Sequence, residues 1–178
     1  MSTRLIHRSA ASPSRDIAEC LEGLLVYELL NPGRRLLIIS PWISDFPALD
    51  NRGSRFTAVD ASWTATFVQF SSVLRAILQR GTHVRIACGP GITESEFVSR
   101  LERASSLEGT ADSLSVTRLP REHRVFSHEK AVVADTWAVY GSMNLTYSGV
   151  TMNGELITVT TDSASVSEVA TELLGLFS

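Results

Sequence analysis

The sequence predicts an α/β domain: a mixed, mostly parallel β-sheet flanked by helices on both faces. Three observations carry this. Arg34-Arg35-Leu36-Leu37-Ile38-Ile39-Ser40 is a short continuous apolar run, the pattern of a strand covered on both faces. Helix-spaced and strand-like segments alternate along the chain. At 178 residues the length suits one domain with a full core, and neither a repeat nor a low-complexity linker divides it. Residues 1–178 are therefore expected to form a single domain.

Residues 1–12 read as a flexible N-terminal tail or a short lead-in strand. Ser12-Pro13-Ser14 is a helix start, with proline tolerated in the first turn. Ile17, Cys20, Leu21, Leu24 and Leu25 recur at helical spacing, and Asn31-Pro32-Gly33 ends the segment. After the buried strand comes a long mixed loop from Pro41 to Arg55. Loops leaving the carboxyl ends of buried strands commonly border the binding crevice of an α/β sheet. In this loop Trp42 is suited to stack on a base or sugar, and Arg52 and Arg55 to meet phosphate.

A helix is expected from Thr64 to Arg80, with Phe67, Phe70, Val73, Leu74, Ile77 and Leu78 as its core stripe and Gly81 just past its end. Thr82–Cys88 is the next strand, and Thr93 with Glu96 has capping-box spacing for a helix running to Glu108. Strands follow at Ser113–Leu119, 128–134, 137–140 and Gly154–Thr160, with a turn at Asp135-Thr136. Ser163 opens a closing helix with Val166, Val169, Leu173 and Leu176 inward.

The net charge of −3 excludes a globally basic nucleic-acid binder but not a local basic patch. Arg118, Arg121, His123 and Arg124 cluster ahead of Lys130, and beyond Lys130 there is neither Lys nor Arg. Cys20 and Cys88 lack metal-ligand spacing and read as two buried free thiols of a reducing compartment. No metal or cofactor is expected. The N-terminus lacks the apolar run of a secretory signal and no stretch approaches transmembrane length, so a cytoplasmic location is expected.

Chemistry concentrates in Ser127-His128-Glu129-Lys130-Ala131-Val132-Val133-Ala134-Asp135, followed by Gly141-Ser142-Met143-Asn144. His128 and Lys130, two residues apart, share one face of an extended strand. Lys130 is the only lysine of the chain against fifteen arginines, which points to a need for a compact point charge. Taken singly, each residue has an ordinary structural explanation, and it is the ordered combination that carries information.

His128-Glu129-Lys130, four residues and Asp135 resemble the H-x-K-x4-D motif of the phospholipase D superfamily. The likeness continues through Gly141-Ser142-Met143-Asn144 to Asn153-Gly154-Glu155, which is similar to the downstream Asn-x-Glu of the superfamily's small bacterial endonucleases. Ser40-Pro41-Trp42-Ile43-Ser44-Asp45 and its flanks are similar to phospholipase-D-like proteins of DNA restriction loci, with a narrower likeness to the DpdK-type proteins of 7-deazaguanine DNA-modification clusters. In one departure, five residues separate Asp135 from Gly141 where the enzymes often have six or more, as a shorter hairpin would give.

The resemblance implies a phospholipase-D-like sandwich and a metal-independent phosphodiesterase, a DNA endonuclease in a restriction or defence setting. His128 would attack phosphorus and form a phosphohistidine, while Lys130 neutralises a non-bridging oxygen and Asn144 donates a hydrogen bond to it. Ser142 would hold the phosphate or the turn presenting Asn144. Glu155 would accept from the far nitrogen of His128. Asp135, at the strand end, is expected to be structural rather than to move a proton. Arg52 and Arg55 with Arg118, Arg121, His123 and Arg124 would line a groove for the phosphate backbone.

This mechanism needs two histidines, and none of His7, His83 and His123 begins a second motif. The other half-site is then expected from a second copy, giving a homodimer with the active site on its two-fold axis. One alternative is a nucleic-acid-binding subunit that needs restriction-system partners for cleavage. The other is a phospholipid phosphodiesterase, disfavoured because no basic amphipathic helix or interfacial aromatic cluster is present to hold a bilayer.

Overall fold

The computed structural model describes residues 2–11, 14–119 and 128–177. The apolar run becomes β2 (Arg35–Ser40), the fully buried strand around which the other elements are layered. Its alternating side chains feed two cores. Leu36 and Ile38 face one and Leu37 and Ile39 the other, all with no exposed surface. Each such side chain contributes about 2 kcal/mol by burial.

The first core is covered by α1 (Asp16–Leu30), α2 (Phe70–Gln79) and α3 (Ile92–Leu107), through Ile17, Leu25, Phe70, Leu74, Phe97 and Leu101. The second is covered by α5 (Ser163–Leu174), through Val166, Ala170 and Leu173. Helices thus lie on both faces, as expected. Cys88 is buried, whereas Cys20 is only partly so, and both thiols are free.

In chain order the strands are β1 (Thr3–Arg8), β2, β3 (Pro47–Asp50), β4 (Phe67–Gln69), β5 (His83–Cys88), β6 (Leu114–Arg118), β7 (Ala131–Val133), β8 (Ala138–Gly141) and β9 (Glu155–Thr160). A short helix α4 (Tyr147–Thr151) precedes β9. The main sheet has the order β1-β9-β8-β7-β2-β5-β6, and β3 and β4 form a separate hairpin. The sheet is mixed, but the expected parallel majority is corrected: β2, β5 and β6 run parallel, while β1/β9, β9/β8, β8/β7 and β7/β2 are antiparallel. A parallel pair needs a crossover, and only the α2 and α3 connections supply one here. The turn at Asp135-Thr136 instead folds β7 back on β8 as a tight hairpin, in accord with the short Asp135–Gly141 spacing.

Of the two readings given for the N-terminal residues, the lead-in strand is the one formed, as edge strand β1 with Ile6 and Arg8 buried. Two further expectations change. The helix expected from Thr64 begins only at Phe70, because Phe67–Gln69 pairs with Pro47–Asp50 and the helix start is capped from outside. Asp45 accepts from the Ser71 amide at 2.9 Å and from the Ser71 hydroxyl at 2.7 Å. Phe67 accordingly leaves the core stripe and is exposed. The Thr93/Glu96 capping box is not formed. Gly91 caps α3, and the buried Glu94 folds back so closely that a Cβ at Gly91 would collide with its carboxylate.

Candidate active site

Strand register decides what meets at each end of the sheet. Ile39 pairs with Ala131 in the antiparallel β2/β7 ladder, so Lys130 and His128 come level with the chain leaving β2 at Ser40-Pro41-Trp42. Ala131 pairs with Tyr140 and Gly141 with Ile157, which brings Ser142 and the start of β9 to the same end. His128, Lys130, Ser142 and Glu155 are therefore gathered by topology from three separate segments.

The expected shared face of His128 and Lys130 is present although both residues precede β7 proper. The Lys130 Nζ lies 2.8 Å from His128 Nδ1 and also donates to the His128 carbonyl. Lys130 is buried and His128 exposed, so the ammonium is fixed in the wall while the imidazole faces outward. Burial pushes the Lys130 pKa down, opposed by the charges of Glu155 and Glu129. With the Lys130 ammonium as the donor in this contact, Nδ1 accepts and the ring proton lies on Nε2. Trp42 meets the His128 ring edge-on, with centroids 5.8 Å apart, and its own centroid lies 6.0 Å from Nζ.

Glu155 is engaged by Ser142. Its buried carboxylate accepts from Ser142 Oγ, whose oxygen in turn accepts from the Leu156 amide at 3.0 Å. The β8/β9 register is the reason, since it sets Ser142 beside Glu155. Gly141 makes that approach possible, with φ 151° and its ideal Cβ position 2.3 Å from the Leu156 carbonyl oxygen. The Glu155 charge acts on both Lys130 and Arg8, balancing two cations.

Asn144 sits between the buried Met143 and Leu145, in a segment tied to the β2 exit. Ser40 Oγ accepts from the Leu145 amide at 2.9 Å and donates to the Trp42 carbonyl at 2.6 Å. The Asn144 Oδ1 is buried and has no hydrogen-bond partner among the described residues, a rare state for a buried polar atom.

Asp135 is not brought to this cluster. It lies beyond the opposite end of β7, where it accepts from the Arg34 amide at 2.7 Å and pairs with the Arg34 and Arg35 guanidiniums at 3.4 Å each. The antiparallel register again decides, placing Asp135 level with the start of β2. Asp135→Ala is expected to lower unfolding free energy by about 1–2 kcal/mol, from the lost bonds to Arg34, and to leave turnover at the His128 end unchanged. Denaturant melts and initial rates on the same preparation check both halves.

Arg52 and Arg55 are engaged within their own loop. Arg52 pairs with Asp50 at 2.7 Å, holding that carboxyl well below the usual carboxylate range, and Arg55 approaches Glu22 at 3.7 Å. Arg118 donates to Cys88 Sγ at 3.2 Å. Arg121, His123, Arg124 and Ser127 lie outside the described residues.

Sequence reasoning missed Arg8. Its buried guanidinium donates to the carbonyls of Asn153 at 2.7 Å and Gly149 at 2.6 Å, and to that of Val150, bracing the segment between Asn144 and Glu155. The available signal was Arg8 two residues after Ile6, on the inward face of a short strand. Ser40 joins the two loops of the site, a role that its place at the end of an apolar run did not single out.

A histidine–lysine pair thus stands at one strand end, with a Gly-Ser-x-Asn turn and a buried glutamate on adjoining strands. The chain belongs to the phospholipase-D-like family: residues 58–176 match the family model described as cardiolipin synthase, PLD-like domain. No curated protein matches its sequence. Among solved structures it is similar to Nuc, a phospholipase D family member from Salmonella typhimurium, at 12% identity and TM-score 0.62, over 98% of this chain and 93% of that one. NucT from Helicobacter pylori gives 12% identity and TM-score 0.57 over 98% and 94%. Phosphatidylserine synthase from Haemophilus influenzae gives 16% and 0.64, over 96% of this chain but 37% of its own. These likenesses establish the fold. Among the described residues, no helix is long and apolar enough to cross a membrane.

Proposed function

We propose that this protein is a phosphodiesterase that cleaves the DNA backbone through a phosphohistidine at His128, without a metal ion, in a site completed by a second copy of the chain. The observation that carries this reading is the buried ammonium of Lys130 fixed against an exposed imidazole. A localised cation beside a nucleophile supplies the charge neutralisation that phosphoryl transfer needs.

The steps balance as follows. A ring nitrogen of one His128 forms a bond to phosphorus as the bond to the leaving oxygen breaks. The leaving oxygen takes a proton from Nε2 of the second His128. Water then attacks the phosphohistidine, gives its proton to that second imidazole, and frees the first. The second His128 must enter the step as imidazolium, protonated on both ring nitrogens, so that it becomes neutral imidazole on giving up the Nε2 proton. The nucleophile is formed when Lys130 turns from Nδ1 to the phosphoryl oxygen, and the Asn144 Nδ2–H is the candidate second donor to that oxygen. A restriction setting is supported by the likeness of the Ser40–Asp45 region to proteins of such loci.

Purified protein is expected to cut DNA in the presence of EDTA, with specific activity rising with protein concentration as the dimer forms. Loss of cutting on chelation, or activity independent of concentration in a sedimenting monomer, would contradict the proposal. A lipid reading draws on the family model's cardiolipin synthase description and on the fold shared with phosphatidylserine synthase. It requires headgroup release from phosphatidylglycerol vesicles in place of DNA cutting. Binding of DNA with no cutting in any strand form would favour the partner-dependent subunit.

A further inference from the structure

Between α1, the β3–β4 hairpin and α4 lies a cavity of about 300 Å³, whose lining includes Ser14, Glu22, Phe46, Asp50, Phe67 and Tyr147. It connects to the His128 end through two neighbouring segments. One leaves Trp42 and reaches Phe46, and the other leaves Asn144 and reaches Tyr147. They are joined side by side, with Ile43 bridging Leu145 in parallel and the Ser44 amide donating to the Leu145 carbonyl at 3.0 Å. Four residues of extended chain span at most about 14 Å, so the cavity opens within that reach of Trp42.

We infer that this cavity receives one base of a single-stranded nucleic acid whose backbone crosses the His128 end, so that base binding sets where along the strand cleavage falls. The inference rests on the phosphodiesterase reading above and names its substrate more closely. Its volume is at the lower end of the range for small-molecule sites, room for one heterocycle with its sugar. Phe67 and Tyr147 are 40% and 51% exposed, an unusual state for large rings beside a cavity and one suited to stacking.

The polar part of the lining is Ser14, Arg15, Glu22, Asp50 and Thr151, with Glu22 and Asp50 paired to Arg55 and Arg52. Burying them under an acyl chain, together with the Ser14 Oγ that has no hydrogen-bond partner among the described residues, would cost free energy without return. A base edge offers donors to those oxygens and a π-face to the rings. The backbone charge has its own partners. Arg52 lies over Phe67 at 4.6 Å, and the Arg52 and Arg55 side chains, at 60% and 63% exposure, stand at the rim. The two arginines that the sequence assigned to phosphate would thus serve this base site.

The test is equilibrium binding read without turnover, in His128→Ala protein. A single-stranded oligonucleotide carrying 2-aminopurine and an abasic polymer of equal length are titrated in parallel. The base-bearing strand is expected to bind about tenfold more tightly, with quenched 2-aminopurine fluorescence. Adding Tyr147→Ala, or separately Phe67→Ala, should remove both the preference and the quenching. Both rings are exposed, so the fold should survive either change. Equal binding of the two polymers, binding of neither, or a preference that persists in both variants would overturn the inference. Base-dependent binding by a protein that never cuts would leave this site standing and remove the catalytic reading instead.

Discussion

Replacing His128 with alanine is expected to reduce phosphodiester cleavage by at least about four orders of magnitude while leaving the melting temperature within experimental error. Removal of a covalent nucleophile leaves only binding and electrostatic assistance, and losses of about 10⁴ to 10⁶ are the usual scale. Stability should hold because the imidazole is exposed and its contacts with Lys130 and Trp42 lie at the surface end of the sheet. In a dimeric site one substitution removes both nucleophile and acid, so residual activity should not be rescued by mixing with more variant. Cleavage within tenfold of wild type would place the nucleophile elsewhere.

Lys130→Arg is expected to cost about 10²–10³ in kcat despite keeping the charge. The ammonium occupies a buried slot 2.8 Å from Nδ1, and a planar guanidinium on a longer stem cannot take that position without displacing the ring. The variant also carries a pH signature. Burial lowers the Lys130 pKa from its ordinary 10.5, so the ammonium is present below the lowered value and lost as pH rises through it. Wild-type kcat should therefore fall on an alkaline limb below the range of an ordinary lysine. In Lys130→Arg the residual activity should lack that limb, since the guanidinium stays charged. The pH profile of kcat for the two proteins checks both statements, and an identical limb in the variant would assign it to another group.

Much of this site is legible in the sequence because motif spacing and strand period are the same information. His128 and Lys130 share a face because they are two residues apart in an extended segment, and the continuous run Leu36–Ile39 announces a strand covered on both sides. What could not be read depends on register between distant segments. Asp135 belongs to the motif by spacing, yet the antiparallel β2/β7 ladder carries it to Arg34 and Arg35 at the far end. That Ser142 engages Glu155 is set by the β8/β9 register. The late start of α2 has the same origin, since its cap is supplied by Asp45, twenty-six positions upstream of Ser71. Arg8 went unnoticed because its alternation with Ile6 becomes informative only once Thr3–Arg8 is taken as a strand.

The most direct test of the account is the mass of the peptide containing His128 after rapid denaturing quench of a single turnover with DNA, kept at alkaline pH to preserve the phosphoramidate. The account predicts a phosphate-linked strand on His128 that forms and decays within one turnover, and that is absent from His128→Ala. Turnover with no adduct on any peptide, or with the adduct on another residue, would contradict it.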